Sequence, residues 1–503
     1  VQVAEQARSH FLDCRAPGIL PSAVPKNQPL PKKSRWRAAL TVLLSLITVG
    51  ALAWYLTRPA PLVLPGSDAP LRIENVRIID VRTGTSTASG HVDIAEGRII
   101  AIHRQGAAGP APAGATIIDG RGQSLIPGLI DSHCHVGSSP DVPWNRGLPN
   151  LDLNLQRLLY SGITRVFDPG AMAPDIYETR AAIDSGEQLG PFLHAAGPIF
   201  TAVGGHPAPM VRQTMPGLLA DLLLERMTRQ IATEADVTPA VQELAALDTD
   251  FIKMAIDRIP LTSPRLAPEL AAAVSRAAKA HGLRTVAHIG DLQDAKDAAD
   301  AGVSAWVHGV YKQRLSDADI AALAAYGIPM VPTMVVFKSY GELGRGDYAP
   351  TELERQVAPS SLLEDRENKP QDYEVDPELL AFINLLAAQR QAAIDNVRRL
   401  HQAGVLILAG SDAQAGVIHG PALHRELDLL AEAQLTPAEV LRATTLHPAQ
   451  FLSAQQDPPY GVVEEGKQAD LVLVRGNPLE DVDALHQIEQ VILRGQLLQR
   501  VTP

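Results

Sequence analysis

Hydrophobic positions along this chain fall into three regimes. Ala38 to Thr57 reads AALTVLLSLITVGALAWYLT, an uncharged run. A helix of about twenty residues spans roughly 30 Å, the hydrocarbon thickness of a bilayer. From about Leu71 the pattern shortens. LRIENVRIID, HVDIAEGRIIAIH and ATIIDG alternate apolar and polar residues with turn residues between them, and ADLVLVRG and QVILRGQLL do the same near the end. Two strand-rich ends flanking a long middle predict one small β-sandwich domain built from residues 71–123 and 452–503.

The middle, residues 124–451, alternates apolar runs with helical stretches such as PELAAAVSRAAKAHG. Eight runs have strand character: SLIPGLIDSHCHV, TRVFDPG, PFLHAAGPI, DFIKMAI, LRTVAHIG, SAWVHGV, IPMVPTMVV and VLILAGSDA. Repeated strand–helix alternation predicts a parallel (β/α)8 TIM barrel, α/β in class. Reactive side chains in such a barrel collect at the C-terminal ends of the strands.

Composition and charge narrow the picture. A formal net charge of −12 and only 4% aromatic residues argue against a nucleic-acid partner. Two cysteines, Cys14 and Cys134, cannot form a disulfide framework. Lys26, Lys32, Lys33, Arg35 and Arg37 lie just before the long apolar run. The positive-inside rule then predicts a disordered cytoplasmic tail over 1–37, a transmembrane helix over 38–57 and a linker over 58–70. That arrangement describes a single-pass protein of a bacterial inner membrane with its catalytic domain in the periplasm. The triplet Ala51-Leu52-Ala53 leaves open a cleaved signal and secretion.

Candidate chemistry sits at the strand ends. The first strand ends in His133-Cys134-His135; side chains at i and i+2 share a face, so both imidazoles can grip one metal. His288 ends the fifth, His308 the sixth and Asp412 the eighth. A polar residue closing an apolar run must be satisfied by something. Lys253 ends the fourth strand among apolar neighbours. It requires either a counter-charge, with Asp250 and Asp257 as the nearest in sequence, or a lowered pKa. A neutral lysine amine can add CO2 to form a carbamate, an anionic two-oxygen ligand. The loop after the third strand places His206 behind two glycines, which permit close backbone approach to a ligand; a solvated loop histidine is the alternative. The polar stretch from Lys338 to Pro377 has the length of a lid, with Tyr340 and Arg345 as carboxylate contacts. His419, His424 and Glu426 are expected to cap or flank a helix.

Taken together, these residues resemble the amidohydrolase superfamily. The resemblance runs from about Leu71 to Leu498 and includes LIPGLIDSHCH, AGVSAWVHGV, LAGSDA and GVVEEGKQADLVLVRGNPLEDV. The last stretch is similar to the subgroup of imidazolonepropionase-related enzymes and metal-dependent Xaa-Pro dipeptidases. The resemblance implies two divalent ions, zinc first, although Mn, Co and Ni suit the same ligands. It places His133, His135 and Asp412 on the more buried ion and His288 and His308 on the more exposed one. Carbamylated Lys253 and a hydroxide bridge them, Asp412 shuttles the proton, and His206 touches the substrate carbonyl. The implied substrate is a small amide, lactam or dipeptide; the question of a homo-oligomer stays open. Two departures matter. Val307 stands where several relatives have Glu, and His288-Ile-Gly-Asp291 is similar to the His-Ala-Gly-Glu of mononuclear deaminases. Such a deaminase, or an inactive membrane-tethered binding protein, are the alternatives.

Overall fold

The computed structural model describes Arg37, residues 39–45, 48 and 49, and residues 61–501 apart from 105–108, 216 and 371. The chain separates into two units, Val1–Pro59 and Ala60–Pro503. In the first, residues 37, 39–45, 48 and 49 are helical and exposed. Thr41 and Thr48 donate their hydroxyls to the carbonyls of Arg37 and Leu44. Among the described residues no helix is long and apolar enough to cross a membrane. Most of the expected 38–57 span, nearly all of the 1–37 tail and the start of the 58–70 linker lie outside the described residues.

The second unit is a TIM-barrel-like α/β fold joined to a small sheet. Seven strands run in parallel: Leu129–Asp131, Ile163–Asp168, Phe192–Ala195, Phe251–Ala255, Arg284–His288, Ala305–Val307 and Met330–Val331. The third meets the fourth where Asp250 N donates to Ala195 O at 3.0 Å. The extended segment 405–413 fills the eighth place. It makes parallel bridges from Ile407 to Met330 and from Ala413 to Cys134. Ser132 N also donates to Ala409 O at 2.9 Å, so the barrel closes.

Two expected strands differ from their apolar runs. In IPMVPTMVV only Met330–Val331 is a strand, because Pro329 and Pro332 have no N–H to give a ladder. The run then turns into the helix Met334–Arg345. In VLILAGSDA the ladder is interrupted, since Ala409 N turns aside to Ala443 O. Inside the barrel, Ile130, Phe167, Ala196, Phe251, Val286, Val307, Val331 and Leu408 form one packed layer, roughly one residue per strand. The helices outside present their apolar faces to the barrel. Their starts are capped where the sequence supplies Asp or Ser, as at Asp291 and Ser316.

The small domain is one nine-stranded sheet drawn from both ends of the unit. Its edge strand Arg98–His103 does not end free. Ile99 N donates to Lys467 O and Ala469 N to Gly97 O, just ahead of the strand Leu471–Arg475. The sheet thus curls until this edge strand meets the segment leading into Leu471–Arg475. Ile73, Ile78, Val92, Ile99, Leu125 and Leu473 fill the enclosed space without a covering helix. The expected sandwich is therefore a single curled sheet. Its boundaries also move. Gln123–Pro127 pairs with Leu471–Arg475 and belongs to the sheet, so the barrel begins at Leu129 and not at 124. Apolar Leu125–Ile126 and Leu129–Ile130 read as one run, which hides the break at Gly128. Val63–Leu64, in the expected linker, pairs with Gln499 and Arg500. The helix Leu446–Ser453 crosses the boundary expected at 452.

A buried ion pair holds the curled sheet. Arg72 Nε and Nη2 donate to the two carboxylate oxygens of Asp93 at 2.6 and 2.7 Å, with both side chains buried. Replacing Arg72 with methionine strands the Asp93 charge, which among the described residues is then offset only by His103 at 3.6 Å. The expected cost is about 3 kcal/mol, read as a lower denaturation midpoint. A loss below about 1 kcal/mol would show that water reaches Asp93.

Candidate metal centre

The barrel layer fixes what lies above it. Phe251 points into the barrel, so Lys253, two residues on, points the same way one level higher. Val286 and His288 stand in the same relation. For the sixth strand the alternation would fail: Val307 points inward, which would turn His308 out. His308 adopts φ +71°, and this left-handed turn brings its ring back over the barrel. Asp412 at φ +48° and Thr333 at φ +48° share that conformation. Each costs about 1–3 kcal/mol for a non-glycine residue. The strain is thus concentrated where these side chains converge. Gly410 allows it, because a Cβ there would lie 2.9 Å from His133 Cβ.

The structure brings all seven predicted residues to one place. Asp412 Oδ1 lies 3.2 Å from His133 Nε2 and 3.1 Å from His135 Nε2. His133, His308 and Asp412 offer ligand atoms all within 4.8 Å of one another. His308 Nε2 lies 3.1 Å from His288 Nδ1. The His206 ring stands edge-on to His288 with centroids 5.0 Å apart, and its Nδ1 is buried without a partner. Lys253 is 2% exposed, and no carboxylate among the described residues lies within ion-pair distance of it. The two acids nearest in sequence are taken elsewhere: Asp250 by Arg180 and His194, Asp257 by Lys312 and His288.

Electrostatics follow from burial. Burial lowers the Lys253 amine to about 7, against the opposing pull of Asp412 and Asp168. Burial also lowers His133 and His206 to about 3 and depresses His288 and His308. In His135 burial acts the same way, but hydrogen bonds to Asp168 and Asp412 outweigh it and raise the ring to about 10. Burial would raise the Asp412 carboxyl, yet the His133 and His135 rings hold it well below the usual carboxylate range.

These contacts fit divalent cations. Asp412 Oδ1 lies 3.2 and 3.1 Å from the Nε2 atoms of His133 and His135, so three atoms able to ligate a cation converge on a common point. His288 and His308 are each engaged at their other nitrogen, His288 Nε2 by Asp257 at 3.2 Å and His308 Nδ1 by Thr333 Oγ1 at 2.5 Å. Their remaining nitrogens face each other. Imidazole nitrogen and carboxylate donors together suit zinc and its neighbours.

Several functional side chains were not singled out from sequence. Asp131 Oδ1 and Oδ2 accept from Ser411 N and Oγ at 2.9 and 2.6 Å, tying the first strand to the eighth. Asp168 accepts from Val136 N and Gly170 N and stands 3.6 Å from His135 Nδ1. Asp168 and Asp257 close apolar runs, the same signal that marked Asp412. Thr333 has no such signal, since only its backbone turn brings it to His308. Of the lid residues, Tyr340 packs with Ile259, Tyr311 and Phe382, whereas Arg345 pairs with Asp347 on the surface. His419 and His424 bond to the carbonyls of His135 and Ser161, and Glu426 accepts from Val335 N at the start of the helix Met334–Arg345. Asp291 caps the helix Leu292–Asp300, its Oδ1 accepting from Asp294 N at 2.9 Å.

A sequence profile of the amidohydrolase family matches residues 124–498. An uncharacterized protein of Mycobacterium tuberculosis is 24% identical over 396 residues, 77% of this chain and 88% of that one. Among solved structures, an amidohydrolase is similar with a TM-score of 0.69 at 24% identity, covering 85% of this chain and 98% of that one. A Xaa-Pro dipeptidase with methionine bound in its active site has a TM-score of 0.68 at 23% identity, covering 85% and 99%. These likenesses are of fold.

Proposed function

The chain belongs to the amidohydrolase family and is a hydrolase of carbon–nitrogen bonds, and from that premise we propose that it cleaves a small dipeptide or N-acyl amino acid with two divalent ions, zinc first. His133 Nε2, His135 Nε2 and Asp412 would hold one ion; His288 Nδ1 and His308 Nε2 would hold the other; carbamylated Lys253 would join them. Bound there, the ions supply Lewis acidity toward the substrate carbonyl and lower the pKa of water. What supports this reading is the approach of Asp412 Oδ1 to His133 Nε2 and His135 Nε2, the facing pair His288 Nδ1 and His308 Nε2, and a buried Lys253 with no carboxylate at ion-pair distance among the described residues.

The chain's own groups supply the rest. Asp412 is anionic at neutral pH and buried, so it can take the proton of the attacking water and return it to the leaving nitrogen. An amide nitrogen leaves poorly unless protonated. His206 is neutral and stands over His288, where its N–H can polarise the substrate carbonyl oxygen. Tyr311, Phe337 and Phe382 pack together beside His308 and keep bulk water from that flank. The dipeptidase likeness of one structural neighbour directs the substrate choice toward peptides.

Metal analysis of the purified protein, paired with a panel of dipeptides and N-acyl amino acids, tests this. About two ions per chain and release of a free amino acid are expected. One ion per chain together with ammonia release from a nucleobase would replace this reading with a deaminase. A membrane anchor in the 38–57 span remains part of the proposal, tested by whether full-length protein sediments with membranes.

A further inference from the structure

Beneath the two facing histidines lies a polar knot that the reaction itself does not use. Asp257, 1% exposed, follows the fourth strand. Its Oδ2 takes His288 Nε2 at 3.2 Å and the Tyr311 hydroxyl; its Oδ1 takes Lys312 Nζ and Arg258 N, the latter at 2.6 Å. The backbone repeats the arrangement. Ile256 N and Asp257 N both point at His288 O, and Tyr311 N and Lys312 N both donate to Gly290 O at 3.1 Å. Gly290 is required here, since a Cβ would lie 2.4 to 2.6 Å from the Asp257 carboxylate. Three loops, after the fourth, fifth and sixth strands, thus close around one carboxylate.

An imidazole has one proton to place when neutral. A carboxylate already receiving Lys312 and Tyr311 is an acceptor only, so the His288 proton must sit on Nε2. That leaves Nδ1 with a bare lone pair, directed at His308 Nε2 3.1 Å away. His308 is engaged at its other nitrogen, Nδ1, by the Thr333 hydroxyl, which can donate or accept and so leaves the His308 tautomer free to match. We propose that Asp257, held by Lys312 and Tyr311, is the positioning residue of the second ion, and that it decides whether the centre holds one ion or two. Outer carboxylates of this kind orient ligating histidines and strengthen them as donors. This inference rests on the two-ion reading above.

The test is equilibrium titration of metal-stripped protein with Co(II), following both stoichiometry and the visible absorption of the bound ion. Wild type should take up two ions. Asp257→Asn keeps size and shape but offers an N–H toward His288 Nε2, which moves the imidazole proton to Nδ1. The second ion should then bind about 10–100-fold more weakly, with its absorption band altered and the first ion unaffected. Lys312→Met keeps the carboxylate and should weaken the second ion by a smaller factor. Wild type holding one ion would defeat the two-ion reading and this inference together. Two ions bound equally tightly by wild type and Asp257→Asn would overturn the positioning role alone. Equal weakening of both ions in Asp257→Asn would also overturn it, since the effect would then not be specific to His288.

Discussion

Asp412→Asn is expected to lower kcat by about 10³-fold or more while the protein stays folded. Asparagine matches aspartate in volume, and the backbone bond from residue 412 N to His133 O at 2.6 Å does not involve the side chain. Gln414 Nε2, 3.0 Å from Oδ2, can still find an oxygen. What disappears is a buried negative charge that balances His133 and His135 and accepts a proton. Steady-state kinetics on the best dipeptide, with metal content measured in the same preparation, checks the prediction. If kcat held within threefold of wild type, Asp412 would not be the proton carrier.

Lys253→Met should separate function from stability. Turnover should fall by at least about 10³-fold, because neither a carbamate nor any other anion can form at that position. The metal-free protein should nevertheless become more stable. The amine is lowered to about 7 by burial, from an ordinary 10.5. Above pH 10.5 both folded and unfolded chains carry it neutral, and it costs folding nothing. As pH falls toward 7 the unfolded chain gains a proton that the folded chain resists, so the cost grows and is complete below 7. Its size is on the order of 4 kcal/mol. Methionine fills similar space without a charge. Thermal melts of metal-free wild type and variant at pH 7 and pH 10 should differ more at pH 7. An equal or lower melting temperature for the variant at pH 7 would mean that Lys253 has a partner in the ion-free protein.

Much of this could be read in advance because a barrel couples position to chemistry. His133, His135, Lys253, His288 and Asp412 each close an apolar run, and for Lys253 and His288 the packed layer beneath them fixes which way they point. Other features depended on backbone choices that strand periodicity does not report. His308 reaches the site only through a left-handed turn, and Thr333 through another. The eighth strand loses regularity because its amides divide among the first strand, the seventh strand and Ala443. The Asp257 knot assembles from residues 257, 290, 311 and 312, which no local pattern links. The break at Gly128 was hidden for the opposite reason: apolar residues continue across it on both sides.

Val63 and Arg500 are partners in an antiparallel pair, and Val501 N donates to Leu62 O at 2.8 Å. The first and last described residues of this unit are therefore neighbours, tied into the curled sheet whose other face packs around Gly162 at the start of the second barrel strand. A bridge of a few residues from 501 to 61 would make the unit a closed loop of chain. New ends could then be opened in a surface turn such as Ala325–Ile328, giving a circularly permuted enzyme with the same cradle of ligands.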